Sequence, residues 1–346
     1  MQLPRLGPSK IARLVRADGL DDVYERPRVF LEQLGEAVVR EIEAGTSRRV
    51  AERVCKQAEA LGQTLIALGS PAYPASLAAI YDPPPVLFVR GSLSELSRRV
   101  AIVGSRGATG SGRSIARDLA SGLARHGLEV VSGLARGVDG AAHEGALAAR
   151  GRTLAVLGSS VDVVYPGEHK PLAARIESSG AVISELPPGT GPKPAQFPRR
   201  NRIIVGLVEA VIVVEAGARS GALITARLAL DEGREVLAVP GRPGDPLAFG
   251  PNLMIRDGGV LIRGLDDVLE HLGIDFGVVG AALAGALPSP DPILEKLTGS
   301  AAKSIDQLTV ETGLATPALM ARLAGLELAG RIERLPGTLF RSASPA

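Results

Sequence analysis

The chain has 346 residues, a length that predicts two or three domains rather than one. A hydrophobic share of 45% and a charged share of 22% are typical of a folded protein and exclude global disorder. The formal net charge is only +2, which is not the overall charge of a typical nucleic-acid binder. Any such function would therefore depend on a local basic patch.

Cysteine and aromatic content narrow the possibilities further. Cys55 is the only cysteine, which excludes a disulfide within the chain and a cysteine metal cluster. No apolar run reaches the ~20 residues that span a bilayer, and the N-terminus lacks the pattern of a signal peptide. We therefore expect a cytoplasmic protein with no membrane partner. Aromatic residues make up 3% of the chain, so a single-strand binder would depend mostly on phosphate contacts.

Residues 1–62 are predicted to form a small N-terminal helical domain of the SAM-like or helix–hairpin–helix-like type. Ser9 is a candidate N-cap, and residues 40–61 are predicted to form one longer helical run. The turn at residues 6–12 is similar to a helix–hairpin–helix turn, in which Gly-x-Gly amides hold a DNA phosphate. Pro8 and Ser9 stand where a second glycine would help, so the pattern favours packing over DNA contact.

Residues 63–272 are predicted to form an extended doubly wound α/β domain with a mostly parallel, Rossmann-like sheet. Short apolar strands alternate with helical segments from residue 99 onward. Several strands are apolar on both faces, as in a parallel sheet that is covered on both sides. The carboxyl ends of these strands meet along one edge, where we expect the functional loops. The strands are predicted at residues 87–90, 100–103, 128–131, 153–157, 181–183, 210–214, 235–239 and 260–262.

The last part of the chain is predicted to be a separate domain. Residues 273–290 are rich in Gly, Ala and Pro and are predicted to be a linker. Residues 291–346 are predicted to form a winged-helix-like domain of two helices and a β-hairpin. One helix begins at Ser304, and the second has Thr316 as N-cap and Pro317 as its first helical residue. The second helix has one arginine and one glutamate, so we do not interpret it as a recognition helix.

The loop at residues 104–112 joins a strand to a helix, where backbone amides can bind an anion. Its spacing differs from Gly-x-Gly-x-x-Gly, and Arg106 would crowd a bound pyrophosphate. The next strand ends in Ser132 rather than in the acidic residue that holds a ribose. Both departures argue against a dinucleotide cofactor. Ser105 and Arg106 are therefore predicted to contact a different anion.

A second strand-to-helix loop begins at Ser132. Ser132 offers a hydroxyl, Gly133 allows close approach of the backbone, and Arg136 has a bidentate guanidinium. Asp139 and His143 lie four residues apart and, with Ser132, superficially suggest a hydrolase triad. No Gly-x-Ser-x-Gly elbow accompanies them. We therefore predict that Asp139 caps the helix and that His143 donates to a neighbouring loop.

The segment at residues 193–204 contains four cations and no carboxylate. Its arginines suit phosphate by their planar fork, and Phe197 is a candidate base-stacking face. Arg202 is expected to pair with Glu185 or Glu215. Glu215 itself is expected to be a structural ion-pair partner of arginines rather than an acid or base. The predicted contact residues of this segment are Lys193, Phe197, Arg199, Arg200 and Asn201.

Taken together, these motifs resemble the DNA-processing protein A family (DprA, also called Smf). The resemblance covers roughly residues 70–265, and the tail is similar to the small winged-helix domain of many members. So many motifs in one order make the resemblance specific. The motifs are Val103-Gly104-Ser105-Arg106, the string Ser132–His143, Tyr165-Pro166, Ser184-Glu185, Phe197-Pro198-x-Arg200-Asn201-Arg202, Ser220-Gly221-x-Leu223-Ile224-Thr225-Ala226 and Val239-Pro240-Gly241.

The resemblance implies a non-enzymatic protein that binds single-stranded DNA during natural transformation. Such proteins protect incoming strands in the cytoplasm, help to load RecA recombinase, and work as homodimers through the doubly wound domain. By position, the family's phosphate pocket falls on Arg106, Ser132 and Gly133, with residues 193–202 beside it. No catalytic residue, metal site or cofactor is expected.

Two alternatives remain open from the residues. The loop at residues 217–225 is distantly similar to that of nucleotide phosphoribohydrolases of the lysine-decarboxylase-like group. Their Pro-Gly-Gly-x-Gly-Thr-x-x-Glu motif ends in a glutamate that this chain lacks. A transcription regulator would instead bind duplex DNA through residues 289–346.

Overall fold

The computed structural model describes residues 11, 14, 20–94, 97–274, 292–297, 302–313, 316–328, 332–335 and 339–342. The chain divides into two compact units, Met1–Phe276 and Gly277–Ala346. Apart from Ile11, the turn predicted at residues 6–12 lies outside the described residues, as does the predicted linker beyond residue 274. The predicted domain boundaries stay predictions. No helix in the described part of the chain is long and apolar enough to cross a membrane.

A sheet of nine strands is the framework of the first unit. Its strand order is β1-β2-β6-β5-β4-β3-β7-β8-β9. The β1–β2 and β2–β6 pairs are antiparallel and the remaining pairs are parallel, which confirms the predicted doubly wound, mostly parallel architecture. The strands are β1 (Thr64–Ala67), β2 (Val86–Gly91), β3 (Arg99–Gly104), β4 (Glu129–Ser132), β5 (Thr153–Val156), β6 (Ala181–Ser184), β7 (Ala210–Val214), β8 (Glu235–Ala238) and β9 (Val260–Leu261).

The central strands bury both of their faces because apolar residues occupy consecutive positions. Along β3, Val100 and Ile102 face one core and Ala101 and Val103 face the other, as the period of two requires. Every residue of β7 is buried. This burial on two sides is typical of a parallel sheet with helices on both faces.

Helices cover the two faces of this sheet, and the N-terminal helices pack on one another instead. Short 3-10 helices at Pro27–Phe30 and Gly167–His169 accompany them. The α-helices are α1 (Leu20–Glu25), α2 (Leu31–Leu34), α3 (Glu36–Glu43), α4 (Thr46–Ala60), α5 (Ala75–Ala78), α6 (Gly110–Arg125), α7 (Val138–Ala148), α8 (Lys170–Ser179), α9 (Gln196–Gly206), α10 (Gly221–Asp231), α11 (Phe249–Arg256) and α12 (Leu265–His271).

The N-terminal helices have a small core of their own, which includes Val23, Phe30 and Val38. The prediction of one helical run over residues 40–61 is wrong. The run is broken after α3, because Gly45 adopts φ 66° and α4 begins at the next residue. A glycine reaches this left-handed region at no steric cost, so it ends one helix and starts another.

The loops that matter for function gather at one edge of the sheet. β3 lies between β4 and β7, so the chain winds in one direction from β3 to β4 and in the other from β7 to β8. The carboxyl ends of β3 and β7 therefore lie side by side, with Gly104 paired with Val214. In open α/β sheets this reversal point is where ligands bind.

The second unit forms the predicted winged-helix pattern. Its described elements are three helices, α13 (Pro292–Leu297), α14 (Ile305–Thr312) and α15 (Thr316–Leu328), and three strands, β10 (Lys303–Ser304), β11 (Ile332–Leu335) and β12 (Leu339–Ser342). The side chain of Ser304 accepts a hydrogen bond from the Gln307 amide in a capping box. The helix predicted to start at Pro317 begins one residue earlier, at Thr316.

Candidate functional site

A cavity of about 720 Å³ opens where the carboxyl ends of β3 and β7 meet. The loops after these two strands form part of its wall, and the segment that enters α9 forms another part. The predicted contacts divide into two sets. Those that line the cavity are Ser105, Arg106, Phe197, Arg200 and Asn201. Those that do not line it are Ser132, Gly133, Arg136, Lys193 and Arg199.

Hydrogen bonds join the loop after β3 to the loop after β7. The Ser105 amide donates to the Glu215 carbonyl at 2.6 Å. Thr109 is the N-cap of α6 and donates its amide and hydroxyl to the Glu215 carboxylate at 2.8 and 2.5 Å. The expectation that Glu215 pairs with arginines is therefore wrong for the described residues. Its carboxylate instead stabilises the first turn of α6, where the helix dipole favours a negative charge.

Arg106 is exposed at the cavity and lies over an aromatic ring. Its Cζ is 5.3 Å from the ring centroid of Phe197, within the range of a cation–π interaction. The Phe197 ring is in turn 5.7 Å from the ring of Tyr165, centroid to centroid. Arg106 has no carboxylate partner among the described residues, so its charge is available to a ligand.

The loop after β4 reaches the cavity at Ala135, but its first residues, Ser132 and Gly133, lie behind the wall. Ser132 is buried, and its hydroxyl donates to the Ile102 carbonyl at 2.6 Å. The Gly133 carbonyl accepts from Arg200 Nη1 at 2.9 Å. A Cβ atom at Gly133 would lie 2.5 Å from Arg200 Nη2 and 2.7 Å from Asp139 Oδ2, so only glycine fits between these groups. Ser132 and Gly133 thus hold the loop after β4 in place from behind the cavity wall.

Arg136 lies in the same loop and was predicted to contact a phosphate. In the structure it forms an ion pair with Glu168. Its Nε lies 2.5 Å from the Glu168 carboxylate, and both side chains are more than half exposed. An exposed ion pair of this kind is worth about 0–1 kcal/mol, so an anion can compete with Glu168 for the guanidinium.

Arg200 is buried at the back of the cavity. Its Nη1 donates to the carbonyls of Gly133 and Val156, at the ends of neighbouring strands, and its Nε donates to Asn201 Oδ1 at 3.3 Å. Burial lowers the pKa of Arg200 to about 10, while the Asp139 carboxylate opposes that shift. The guanidinium is therefore charged at neutral pH but already bonded to the protein. In the structure Arg200 positions the loop after β4, and its predicted contact with a phosphate stays a prediction.

Asp139 and His143 have structural partners, although not the predicted ones. Gly137, not Asp139, is the N-cap of α7, and Asp139 Oδ2 accepts from the Ala135 amide at 3.3 Å. Burial raises the pKa of Asp139, and the neighbouring Arg200 opposes that shift. His143 bonds to Thr153 of β5 rather than to a loop, with 2.7 Å between Nδ1 and Oγ1.

The proton on the His143 ring can be assigned from its neighbour. Thr153 Oγ1 donates to the Val130 carbonyl at 2.7 Å, so Nδ1 of His143 must be the donor in the bond between them. Burial lowers the pKa of His143 to about 3, which keeps the ring neutral. Ser132, Asp139 and His143 therefore bond to three different groups and form no relay. The described residues also contain no cluster of three or more His, Cys, Asp or Glu that could hold a metal ion.

The positive charge of residues 193–204, here called the basic segment, is partly neutralised by the carboxylates of Glu185 and Asp82. Arg202 pairs with Glu185 at 2.8 Å and with Asp82 at 2.9 Å, which confirms one of its two expected partners. Arg199 reaches the same Glu185 at 3.3 Å but remains about half exposed. Lys193 is exposed on the approach to α9. The exposed positive charge of this segment thus lies at Lys193 and Arg199.

The cavity wall includes further side chains that were not among the predicted contacts. Arg219 and Ser220 come from the loop after β7, and Tyr165 comes from the segment after β5. The Gly217–Gly221 spacing indicated this loop, but neither Arg219 nor Ser220 was predicted to contact a ligand. Tyr165 could have been found as one of ten aromatic residues, four tyrosines and six phenylalanines, in a chain without tryptophan.

Comparison with known families gives two matches. A model described as DNA recombination-mediator protein A matches residues 64–273, which include the whole sheet and the cavity. A model described as DprA winged helix domain matches residues 282–338. The first match covers the doubly wound sheet, and the second covers most of the winged-helix unit.

Curated relatives and solved structures agree with these models. The chain is 40% identical to Protein Smf of Escherichia coli over 287 residues, which are 80% of this chain and 77% of that protein. It is 44% identical to DNA processing protein DprA of Bacillus subtilis over 213 residues, 61% of this chain and 72% of that one.

Among solved structures, DprA from Streptococcus pneumoniae matches with a TM-score of 0.64 and 36% identity, covering 76% of this chain and 90% of that chain. DNA processing protein A from Helicobacter pylori matches with a TM-score of 0.55 and 27% identity, covering 61% of this chain and 95% of that chain. The Helicobacter pylori protein is described by a single-stranded DNA binding mode.

Proposed function

This chain belongs to the DNA recombination-mediator protein A family, and from that membership and the cationic cavity we propose that it binds single-stranded DNA. The observation that most strongly supports the proposal is the state of Arg106. It is an exposed guanidinium at the carboxyl edge of the sheet, with no carboxylate partner in the described residues. Arginine in this state is suited to a phosphate, which it can bind through two parallel hydrogen bonds.

The strand is proposed to contact the loop after β3 first and the basic segment next. Arg106 binds a phosphate at the cavity, where Asn201 and Phe197 form the adjoining wall. Lys193 and Arg199 extend the positive charge beyond the cavity. Ser132, Gly133 and Arg200 act through the loop that they hold in place.

We propose a binding role rather than a catalytic one. The hydroxyl of Ser132 bonds to Ile102, and the ring of His143 bonds to Thr153. Glu215 lies at the cavity edge, but its carboxylate is bonded to the cap of α6. Ser132, His143 and Glu215 are therefore not free to act on a bound nucleotide.

The proposed cellular role is the family's role in DNA uptake. The protein would protect incoming single strands in the cytoplasm during natural transformation and help to load RecA recombinase onto them. It would do so as a homodimer formed through the doubly wound domain.

The proposal is tested by titrating the full chain with single-stranded and duplex DNA of equal length over a series of salt concentrations. The single strand should bind more tightly, and its affinity should fall as salt rises because cations of the protein replace counterions. Arg106→Glu should weaken this binding sharply. Arg125→Glu is the matched control, because Arg125 ends α6, a helix that begins beside the cavity and is ~24 Å long. Equal affinity of wild type and Arg106→Glu would contradict the proposal.

A further inference from the structure

We propose that Glu168 occupies the place of a DNA phosphate on Arg136, and that a bound single strand displaces it. The inference depends on the single-stranded DNA binding proposed above and deepens it, because it assigns the phosphate next to the one that Arg106 binds. It rests on three observations: where Arg136 lies relative to Arg106, how Glu168 holds the guanidinium, and how exposed this ion pair is.

The loop that carries Arg136 packs against the loop that carries Arg106. The Val138 amide donates to the Ser105 carbonyl at 3.2 Å. A Cβ atom at Gly137 would collide with that same carbonyl oxygen and would lie 2.8 Å from the carbonyl oxygen of Arg106, so the two backbones are in direct contact. Arg136 is the neighbour of Gly137 in the chain. The two arginines therefore start from adjacent points of one surface, where successive phosphates of one strand can contact them.

The ion pair of Arg136 and Glu168 lies beside the cavity. Ala135, which directly precedes Arg136 in the chain, lines the cavity. Tyr165, in the segment that leads to Glu168, lines it as well. Arg136 and Glu168 themselves do not line it. A strand that leaves the cavity between these two segments would therefore meet the ion pair next.

The Glu168 carboxylate binds the guanidinium as a phosphate would. Arg136 donates from Nε to one carboxylate oxygen at 2.5 Å and from Nη2 to the other at 2.8 Å. A phosphate group accepts the same two parallel hydrogen bonds from an arginine. These hydrogen bonds raise the pKa of Arg136 and hold the pKa of Glu168 below its usual value, so both groups are charged at neutral pH. Glu168 therefore fills the position that a phosphate needs.

The ion pair is weak enough for a DNA phosphate to open. The two side chains are 59% and 53% exposed, so water screens their attraction. A displaced Glu168 returns to water and leaves no buried charge without a partner. A strand that is already bound at Arg106 presents its next phosphate to Arg136 at a high effective concentration, an advantage that a free anion lacks. Glu168 thus favours a strand of linked phosphates over single anions.

Glu168→Gln tests the proposal, because glutamine keeps the size of the side chain and removes its charge. The full-length variant should bind oligodeoxythymidylate about 2- to 5-fold more tightly than the wild type, the range for the loss of one exposed competing ion pair. Glu144→Gln is the matched control, because Glu144 forms a similarly exposed ion pair with Arg117 and neither residue lines the cavity. Its affinity should equal that of the wild type.

The decisive measurement repeats Glu168→Gln in an Arg136→Gln background. Arg136→Gln alone should weaken binding and lower the slope of log affinity against log salt by about 0.7, as the loss of one phosphate contact of a single strand does. In that background Glu168→Gln should have no further effect, because Glu168 acts only through Arg136. Thermal unfolding of each variant shows whether the fold is retained.

Two results would overturn the role of Glu168 while leaving single-strand binding intact. One is unchanged affinity in Glu168→Gln. The other is an equal gain in affinity with and without Arg136, since Glu168 would then repel DNA only through its overall negative charge. Failure of the wild-type protein to bind the strand would overturn the proposed function and this inference together.

Discussion

At the scale of single residues, the same type of side chain serves two opposite purposes in this site. Arg106 and Arg200 both line the cavity. Arg106 is exposed and free of carboxylates among the described residues, whereas Arg200 is 5% exposed and bonded to two backbone carbonyls. The sequence places both in cationic motifs and does not distinguish them. Only the packing around each guanidinium shows that Arg200 is bonded within the protein and that Arg106 is exposed to the cavity.

Replacing Arg200 should therefore affect stability more than phosphate binding. Arg200→Met leaves the carbonyls of Gly133 and Val156 without their donor and Asp139 without the cation that acts on it most strongly, at a cost of about 3 kcal/mol. The neighbouring Arg199→Met removes a half-exposed guanidinium from Glu185, which keeps its ion pair with Arg202, and should cost less than about 1 kcal/mol. Urea unfolding of the two variants measures this difference. A fully stable Arg200→Met protein with a reduced salt slope for DNA binding would contradict the structural role.

His143 makes the stability depend on pH in a defined window. Its pKa is about 3 in the folded protein and returns to about 6.5 on unfolding. Below about pH 6.5 the unfolded chain binds a proton that the folded protein does not, so stability falls until the pH reaches about 3. The loss is up to ~1.4 kcal/mol per pH unit, or about 2 kcal/mol by pH 5.

His143→Gln should remove this contribution, because glutamine does not titrate but can still donate to Thr153. Urea unfolding at neutral pH and at about pH 5 should show a smaller loss of stability in the variant than in the wild type. Asp139 titrates in both proteins, so the comparison isolates the histidine. Identical losses in the two proteins would show that His143 is not held neutral.

At the scale of elements, most strands could be predicted because their apolar residues run without interruption. Buried strands such as β3 and β7 have this pattern and appear within a residue or two of their predicted bounds. β1 was not predicted, because it is a short edge strand in which only one of four residues is buried. The break at Gly45 was missed because both flanking segments are good helix formers.

The contact between the loop after β7 and the first turn of α6 could not be predicted from the sequence either. Glu215 and Thr109 are 106 positions apart, so no local pattern relates them. Glu215→Ala removes both hydrogen bonds from the carboxylate to the cap and should destabilise the protein by about 2 kcal/mol. Glu144→Ala, which removes an exposed ion pair with Arg117, should cost at most about 1 kcal/mol. Hydrogen exchange of the first amides of α6 measures the effect, and equal exchange in the two variants would argue against it.

At the scale of the whole molecule, the site is a consequence of the topology. The chain reverses its winding between β3 and β7, and this leaves a cavity at their carboxyl ends. Strand and helix alternation predicts such an edge, and the cationic loops predict an anion there. What could not be predicted is which loops meet, because that depends on strand order. The loop after β7 lies directly beside that after β3, which brings Arg219 into the wall.

The central claim is that a single strand of DNA enters this cavity, and site-specific photo-crosslinking tests it most directly. In a Cys55→Ser background, which removes the one native and exposed cysteine, a crosslinker is attached at Gly107→Cys or at Arg125→Cys. A Cβ at position 107 meets only Ser105 Oγ, at 3.9 Å, so the first variant should fold normally. The account predicts crosslinks to single-stranded DNA from position 107 and few or none from position 125. Equal crosslinking from both positions, or crosslinking from position 125 alone, would contradict it.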